Sequence, residues 1–479
     1  MIFSSPSFFV FLMATLALYA VARTHRERAG LMLAASLVFY ASWKPAYLLL
    51  LLASLAINYR LYLKLLRSRS RRVLILAVVL NLVLLAGAKY LVFFTETLFS
   101  LVNLVGLNAP QALPHWLHWA LPLGISFYTF HMLSAMFDAY HRVWDKPVTF
   151  SRWCLYVTFF PHLIAGPILR PGQLIDQLGE LGPLTADNLR LGGAIFAAGL
   201  VKKILFADNL AAIADSAYRN TAVLDAASAW LGTLAFAFQI YFDFSGYSEM
   251  AIGLALMFGV SLPRNFLYPY ISRNPTDFWR RWHITLSLWL RDYLYVALGG
   301  NRRGDLRTYF NLFATMVLGG LWHGANWTFV VWGALHGVYL IGHRVLNLTF
   351  DRIGVRRAGA IDRALSLLGM PLMFALVLVS WVFFRAASFT DAWAVLTALA
   401  GQSHATPATL HFRLYEFAIV AAAAVLVAAE PRLVACCERH GIAWWWRIPF
   451  ALRGVAYAGL TLLFVTFGGV SQKFIYFDF

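Results

Sequence analysis

The sequence is poor in charge, and this shortage restricts what the protein can be. Only 13% of its 479 residues are Asp, Glu, Lys or Arg, whereas 61% are hydrophobic. Soluble globular proteins carry about 25% charged and about 45–50% apolar residues. The composition excludes a soluble enzyme or binding domain. It predicts an all-α polytopic membrane protein, with one integral domain over residues 1–479.

Cysteine is also scarce, which excludes a disulfide framework and a zinc site. Cys154 stands alone, and the adjacent Cys436 and Cys437 lack metal-ligand spacing. The sequence has no Walker motif, no Rossmann glycine pattern and no Ser–His–Asp order in the right context. No cleavable signal peptide is evident, because residues 1–7 carry no basic residue. We therefore expect no metal and no bound cofactor.

Acidic residues are outnumbered by basic ones, and the formal net charge is +17. On a soluble protein this charge would indicate nucleic acid. Here the lysines and arginines cluster at the ends of apolar runs, as the positive-inside rule describes. Topology and contact with the anionic headgroups of the lipid bilayer account for most of the charge, so no nucleic-acid partner is expected. The charge leaves open whether the protein also binds an anionic cytoplasmic ligand, such as a nucleotide-bearing acyl donor.

Apolar runs recur along the whole chain. At about 20 residues per crossing they predict roughly ten to twelve transmembrane helices. Basic residues at 23–28 place the end of the first run in the cytoplasm and the N-terminus outside. Residues 97–118, with two prolines and a tryptophan, predict an outer interfacial segment. The runs are 8–22, 31–43, 46–63, 73–94, 119–140, 189–207, 227–260, 308–350 (two helices), 365–385, 414–430 and 452–470.

Two stretches interrupt this pattern. Residues 159–172 hold three prolines, two glycines and His162, and cannot form a regular helix. Irregular backbone at membrane depth needs protein cover or a wet cavity, so this broken re-entrant segment should border the active chamber, with His162 contacting a ligand or pinning the segment. Residues 239–250 place Asp243 and Glu249 in a polar break between two apolar helices. These carboxylates form either a proton relay or ion pairs with Arg264, Arg273 or another basic residue.

Residues 278–327 are the predicted catalytic block, because they place His283 and His323 in strongly apolar surroundings. A histidine at membrane depth is a functional candidate by default. The imidazole of His323, flanked by glycines that allow close approach, can act as a general base. The alternative is a structural histidine hydrogen-bonded between helices. His283 has the same two interpretations, on a helix expected to run inward from a charged surface.

Other polar residues near this block have weaker signals. Arg302 and Arg303, in a polar loop, either grip phosphates or serve as topology signals. His336 and His343 share a helical face, but with His323 they match no usual metal-ligand spacing.

Four stretches resemble the membrane-bound O-acyltransferase family, and within it the branch of membrane subunits that O-acetylate alginate. They are FFPHLIAGPILRPGQLIDQL, YFDFSGYSEMAIGLALMFG, PRNFLYPYISRNPTDFWRRWHITLSLWLRDYLYVALGGNRRG and LGGLWHGANWTFVVWGALHG. The resemblance covers most of the chain. Relatives that acetylate cellulose or peptidoglycan look similar in these blocks, so the polymer stays open.

The resemblance implies a ring of helices around a central funnel, with His323 as the catalytic histidine and His283 as the second, upstream position. It also implies that acetyl-CoA is the cytoplasmic donor substrate, and that a periplasmic partner of the SGNH, esterase-like type completes transfer to a polysaccharide. Trp322 and Asn326, beside His323, are expected to bind substrate. The setting would be a bacterial inner membrane.

Residues 472–479, QKFIYFDF, form an aromatic tail. The positive-inside rule places it in the periplasm, on the same side as the N-terminus. It is either an interfacial anchor or, by its resemblance to the small partner subunit of teichoic-acid D-alanylation, an acyl carrier through Tyr476. A phenol with a pKa near 10 needs a base to attack a thioester, and its ester is a good onward donor.

Two hypotheses from other functional classes compete with the enzyme hypothesis. Buried His, Asp and Glu beside broken helices would suit a proton-coupled transporter, although no internal repeat is evident. A structural subunit of a polysaccharide export complex is the third possibility.

Overall fold

Helices make up most of the described part of the chain. In a computed structural model, the structure describes residues 1–108, 110, 121–353, 360–402, 412–441, 443–467 and 474–475. These residues form helices and connecting turns, without a β-strand. The all-α prediction is confirmed.

The chain divides into two compact units. The first comprises Met1–Ala194 and Ala251–Pro263, and the second comprises Ile195–Met250 and Arg264–Phe479. The helices that precede the first boundary are α1 (Pro6–Val21), α2 (His25–Ala41), α3 (Ala46–Ser68), α4 (Arg71–Lys89), α5 (Leu91–Leu104), α6 (Ile125–His141), α7 (Phe150–Thr158) and α8 (Pro171–Gly179).

Unit boundaries fall within two of the remaining helices, α9 and α11. The remaining helices are α9 (Ala186–Val201), α10 (Asp208–Arg219), α11 (Ala226–Met257), α12 (Pro275–Trp279), α13 (Ile284–Trp289), α14 (Asp305–His323), α15 (Trp327–Arg352), α16 (Ala360–Arg385), α17 (Phe389–Leu399), α18 (Leu414–His440), α19 (Ala443–Arg447) and α20 (Phe450–Phe467). Two π-helical turns, Lys202–Ala207 and Leu290–Tyr295, follow α9 and α13.

Several helices are long and apolar enough to cross a membrane. Within the described ranges, five meet both conditions: α3, α4, α15, and the parts of α16 and α18 at Leu367–Arg385 and Leu414–Arg439. Shorter apolar helices include α1, α5 and α17. A multi-pass membrane protein is therefore confirmed. The number of crossings, the ring and the funnel stay predictions.

In the first unit, the broken segment is irregular, as predicted. No helix forms between the end of α7 at Thr158 and the start of α8 at Pro171. A Cβ added to Gly166 would lie 2.3 Å from the Cα of His162, so the backbone coils tightly on itself here. The buried Tyr156 hydroxyl closes the coil by donating to the carbonyl of Leu169 at 2.9 Å. These contacts replace the helical hydrogen bonds that the prolines remove.

In the second unit, the prediction of a polar break at 239–250 is wrong, because α11 runs unbroken from Ala226 to Met257. The polar side chains are matched by basic residues on the π-helical turn. Lys202 pairs with both Glu249 and Glu430, whose second oxygen accepts from the Tyr241 hydroxyl at 2.5 Å. We call Lys202, Tyr241, Glu249 and Glu430 the Lys202 cluster. Paired carboxylates leave the helical backbone intact, so burial of charge did not require a break.

The expectation of one inward-running helix around His283 is also wrong. His283 lies between α12 and α13, with a backbone φ of 42° and ψ of 55°. This left-handed conformation is uncommon for a residue with a side chain, and it turns the chain sharply before α13. The histidine therefore occupies a bend.

Helices α14 and α15 pack with very close backbones, which explains the glycines around His323. A Cβ added to Gly320 would lie 2.3 Å from the carbonyl oxygen of Phe329, and one on Gly333 would lie 2.3 Å from that of Met316. Only glycine permits this approach. These glycines therefore allow α15 to pack closely against α14.

Candidate active site

His323 ends α14 and is enclosed by aromatic rings. Its side chain is buried, with the residue 3% exposed. The rings of Trp322, Trp332 and Phe384 stand edge-on to the imidazole, with centroids 4.9, 5.0 and 5.3 Å away. This packing fixes the ring in an apolar box, where electrostatic interactions are stronger than in water.

His283 is oriented by an asparagine that the sequence did not reveal as part of the site. Asn265 Oδ1 accepts from the backbone N–H of Thr285 at 3.1 Å, which can only donate, so this atom is the amide oxygen. The same oxygen lies 3.3 Å from His283 Nδ1. Nδ1 therefore carries the proton, and Nε2 keeps its lone pair. Within the described part of the chain, Nε2 of this fully buried ring has no hydrogen-bond partner.

Trp322 brings the two histidines together. Its ring lies 6.2 Å from that of His283 and 4.9 Å from that of His323, both edge-on. Residues 40 positions apart in sequence thus face one indole.

His336 is a third buried imidazole in this environment. Its ring contacts Phe278, Trp279, Trp332 and Tyr339, at centroid distances of 5.7, 5.1, 4.9 and 5.6 Å. Neither ring nitrogen finds a hydrogen-bond partner among the described residues. Burying an unpaired polar group is costly, so this arrangement needs a reason beyond packing. We refer to His283, His323 and His336 as the imidazole cluster.

A cavity of about 620 Å³ opens beside this cluster. Its cationic wall includes Arg280, Arg291 and Arg344. Arg344 pairs with Asp305 at 3.3 Å. The remaining lining is mainly apolar or weakly polar: Thr276, Trp279, Ile284, Ser287, Leu288, Leu290, Tyr295, Leu312, Thr315, Met316, Leu340, His343, Asn347 and Leu348. Guanidinium groups above apolar walls suit a ligand with phosphates at one end and an apolar or thioester part at the other.

Two ring contacts join the cavity wall to the histidine. Trp279 lines the cavity and lies 5.9 Å from Trp332, whose ring lies 5.0 Å from that of His323. His336 contacts both tryptophans. The arrangement places two imidazoles behind one wall of an arginine-lined cavity.

Comparison with known proteins agrees with this chemistry. The model of the membrane-bound O-acyltransferase family matches residues 145–377 of this chain. The chain is 45% identical over 409 residues to the probable alginate O-acetylase AlgI of Pseudomonas aeruginosa, covering 83% of this chain and 75% of that protein. The chain belongs to the membrane-bound O-acyltransferase family. The resemblance found in the sequence is confirmed, and the protein is an O-acyltransferase.

Further relatives in this family carry two kinds of name. A probable alginate O-acetylase AlgI of Azotobacter vinelandii is 44% identical over 409 residues, covering 83% of this chain and 78% of that protein. The peptidoglycan O-acetyltransferase of Helicobacter pylori is 38% identical over 397 residues, covering 77% and 72%. Both names describe acetylation of a polysaccharide.

Within this acyltransferase, three residues expected to bind substrate occupy other settings. Arg302 and Arg303 are exposed and do not line the cavity. Asn326 caps α15: its Oδ1 accepts from Thr328 N at 3.0 Å, and its Nδ2 donates to the carbonyl of Ala387 at 3.0 Å. These contacts give the asparagine a structural role at the turn that follows His323.

His162 lies in the first unit, fully buried in the broken segment. Its Nε2 lies 3.1 Å from the carbonyl oxygen of Tyr156 and donates to it, and its ring stands edge-on to that of His131 at 4.5 Å. These contacts pin the coil. Tyr476 lies outside the described residues. The contribution of His162 to substrate binding and the catalytic role of Tyr476 as an acyl acceptor stay predictions.

Little in the sequence indicates that Asn265 and His336 belong to the site. Asn265 precedes His283 by 18 residues in a loop, and nothing in its spacing marks it. His336 was visible as an apolar-face histidine, but without the fold it had no connection to the cavity.

Proposed function

We propose that this O-acyltransferase moves acetyl groups from cytoplasmic acetyl-CoA across the membrane for O-acetylation of an extracytoplasmic polysaccharide, with an alginate-like polymer as the first candidate. The observation that carries the proposal is the arginine-lined cavity of about 620 Å³ beside the imidazole cluster. The names of the relatives support the acetyl group and the polymer class.

The cavity is the proposed donor site. Coenzyme A carries phosphates, which match the guanidinium groups of Arg280, Arg291 and Arg344, and a pantetheine arm that suits apolar walls. An acetyl group is small and neutral and can pass an apolar interior, whereas the phosphates cannot. This division explains why charge lines the cavity and aromatic rings surround His323.

The proposed chemistry is acyl transfer with a histidine base. A hydroxyl oxygen attacks the thioester carbonyl, and His323 takes its proton. The C–O bond forms, the C–S bond breaks, and the imidazolium returns the proton to the leaving thiolate. The lone pair on Nε2 of His283, oriented through Asn265, supports a second polar role facing the same tryptophan.

The proposed first acceptor is Tyr476. Its phenol would take the acetyl group as an ester and present it to an SGNH, esterase-like partner in the periplasm, beside the periplasmic chain termini. Support comes from Phe474 and Ile475, which are buried in the same unit as the imidazole cluster. The bilayer in question would be a bacterial inner membrane.

Purified protein supplied with radiolabelled acetyl-CoA tests the proposal. The expected result is release of free CoA together with labelled ester on protein or acceptor. Label that moves across a vesicle membrane as intact acetyl-CoA, with no free CoA, would instead indicate a carrier. Tyr476→Phe keeps the ring and removes the hydroxyl, so persistence of polymer acetylation in this variant would refute the tyrosine step alone.

A further inference from the structure

A second group of buried charges lies beside the Lys202 cluster and has no part in the proposed chemistry. Lys203 pairs with Asp208 at 2.8 Å and with Asp243 at 2.7 Å. The side chains are 3%, 6% and 2% exposed. We call these three residues the Lys203 cluster. One ammonium between two carboxylates leaves oxygen atoms able to accept further hydrogen bonds.

One of these oxygens holds the main chain of the tail. The backbone N–H of Ile475 donates to Asp243 Oδ2 at 2.8 Å, while Oδ1 of the same carboxylate faces Lys203. The contact spans 232 positions in sequence. A hydrogen bond from an amide to a charged carboxylate is about twice as strong as one between neutral groups.

Aromatic rings of α11 pack against the tail at the same place. Phe474 is 1% exposed, and its ring lies 4.6 Å from that of Tyr247 and 6.0 Å from that of Phe244. Ile475 is also buried. These contacts place residues 474 and 475 against successive turns of α11.

The anchored residues are close to the imidazole cluster. Phe244, which contacts Phe474, also stands edge-on to His283 at 4.6 Å. One phenylalanine therefore touches both the tail and the histidine. Movement of the tail at this point would change the packing of the His283 ring.

We propose that Asp243 is a main-chain anchor, held in place by Lys203, that fixes the tail at Ile475 beside His283 and is needed for full turnover. Asp243 acts as a positioning residue, since it reaches the site through Phe474 and Phe244. The inference rests on the proposed function for its effect on turnover, and on geometry alone for its effect on the tail. Asp243 accepts from the main-chain N–H of residue 475. The side chain at this position therefore matters less for the anchor than the N–H does.

The test combines hydrogen exchange and kinetics on the full-length protein in detergent. Ile475→Pro removes the donor, and Asp243→Asn removes the charge of the acceptor. Ile475→Ala keeps the N–H and shortens the side chain. Asp208→Asn alters the same cluster at a carboxylate other than the one that accepts from the N–H of Ile475. Exchange is followed by mass spectrometry in the peptide that contains Phe474 and Ile475.

We expect Asp243→Asn to speed exchange at Ile475 roughly tenfold or more, with little change in Asp208→Asn. Ile475→Pro should speed exchange at neighbouring amides, whereas Ile475→Ala should not. Both anchor variants should lower kcat about tenfold and leave KM for acetyl-CoA unchanged. The double variant should lose no more than Ile475→Pro alone, because both substitutions act on the same hydrogen bond.

Three results would overturn the anchor: unchanged exchange in Asp243→Asn, equal exchange in Asp208→Asn and Asp243→Asn, or additive losses of kcat in the double variant. Failure of the proposed function is distinguishable from these, because wild-type protein would then release no CoA from acetyl-CoA whatever the exchange data show. If Ile475→Pro does not fold, the contrast between the two aspartate variants still decides.

Discussion

The Lys202 cluster, which is partly buried, and the imidazole cluster, which is buried, are both polar regions of the second unit, yet their hydrogen bonding differs. In the Lys202 cluster, the ammonium meets Glu249 and Glu430, and Glu430 also meets Tyr241. In the imidazole cluster, among the described residues, His283 Nε2 and both nitrogens of His336 have no hydrogen-bond partner. In the first group each charged side chain has an ion-pair partner within the chain, whereas these three imidazole nitrogens have no hydrogen-bond partner in the part of the chain that the structure describes.

The difference teaches where to look for chemistry in a membrane interior. A buried charge that meets its partners within the chain mainly secures helices, here α11 and α18 to the turn at Lys202–Ala207. A buried imidazole whose ring nitrogen makes no hydrogen bond carries an energetic cost, which a substrate hydroxyl or a proton can offset. Burial alone does not distinguish a structural polar group from a catalytic one. The presence or absence of a hydrogen-bond or ion-pair partner does.

The largest expected effect is on catalysis in the imidazole cluster. His323→Ala should lower acetylation about 10²–10⁴-fold, the usual loss on removing a general base. Expression should be normal, and activity is divided by the folded fraction because the gap left by the buried ring lowers stability. O-acetyl content of the polymer is the measurement, and His141→Ala, at an exposed position, is the matched control. Normal O-acetyl content in His323→Ala would contradict the assignment.

The next effect is on stability in the Lys202 cluster. Lys202→Met should destabilise the protein by about 3–5 kcal/mol, since it leaves two carboxylates together without their cation. Thermal unfolding in detergent measures it, with Lys64→Met at an exposed position as the control. Adding Glu249→Gln and Glu430→Gln should restore part of the loss. Equal midpoints for the two lysine variants would mean that the cluster contributes nothing.

A smaller effect is expected at Asn265, which orients His283. Asn265→Ala should lower kcat roughly tenfold, because the Nδ1 hydrogen bond that sets the tautomer is lost. If the asparagine acts through the histidine, the loss in the double variant with His283→Ala should match that in His283→Ala alone. Additive losses in kcat would show that Asn265 acts elsewhere, through Thr285 for example.

The smallest effect concerns the donor cavity. Arg280→Ala should raise KM for acetyl-CoA several-fold to about tenfold, the worth of one charged hydrogen bond. The difference should shrink at high salt. Arg302→Ala is the matched control, since this exposed arginine lies outside the cavity lining. A larger rise in KM for Arg302→Ala than for Arg280→Ala would contradict the cavity and would indicate that the donor binds at the loop of Arg302 and Arg303.

The sequence predicted the helical fold, the two helices over residues 308–350 and the broken segment at 159–172, which is irregular up to the start of α8 at Pro171. Each follows from local signals: hydropathy, proline and glycine. It failed at Asp243 and Glu249, where polar residues seemed to break a helix, because their partners lie elsewhere in the chain at Lys202 and Lys203. Long-range pairing leaves no local pattern.

The same limit explains the donor cavity. Arg280, Arg291 and Arg344 come from α12's end, a π-helical turn and α15, and only the fold brings them together. Arg302 and Arg303 had the more conspicuous local sequence, but their loop lies outside the cavity lining. The bend at His283 was hidden for a related reason, since its left-handed backbone depends on contacts with Asn265.

The most direct test is turnover per folded molecule, measured as CoA release from radiolabelled acetyl-CoA and divided by the folded fraction of each preparation. His323→Ala should lose about 10²-fold or more by this measure, whereas Lys202→Met should stay within about threefold of wild type despite its lower stability. Undiminished turnover per folded molecule in His323→Ala, or an equally large loss in Lys202→Met, would contradict the division between a catalytic and a structural buried cluster.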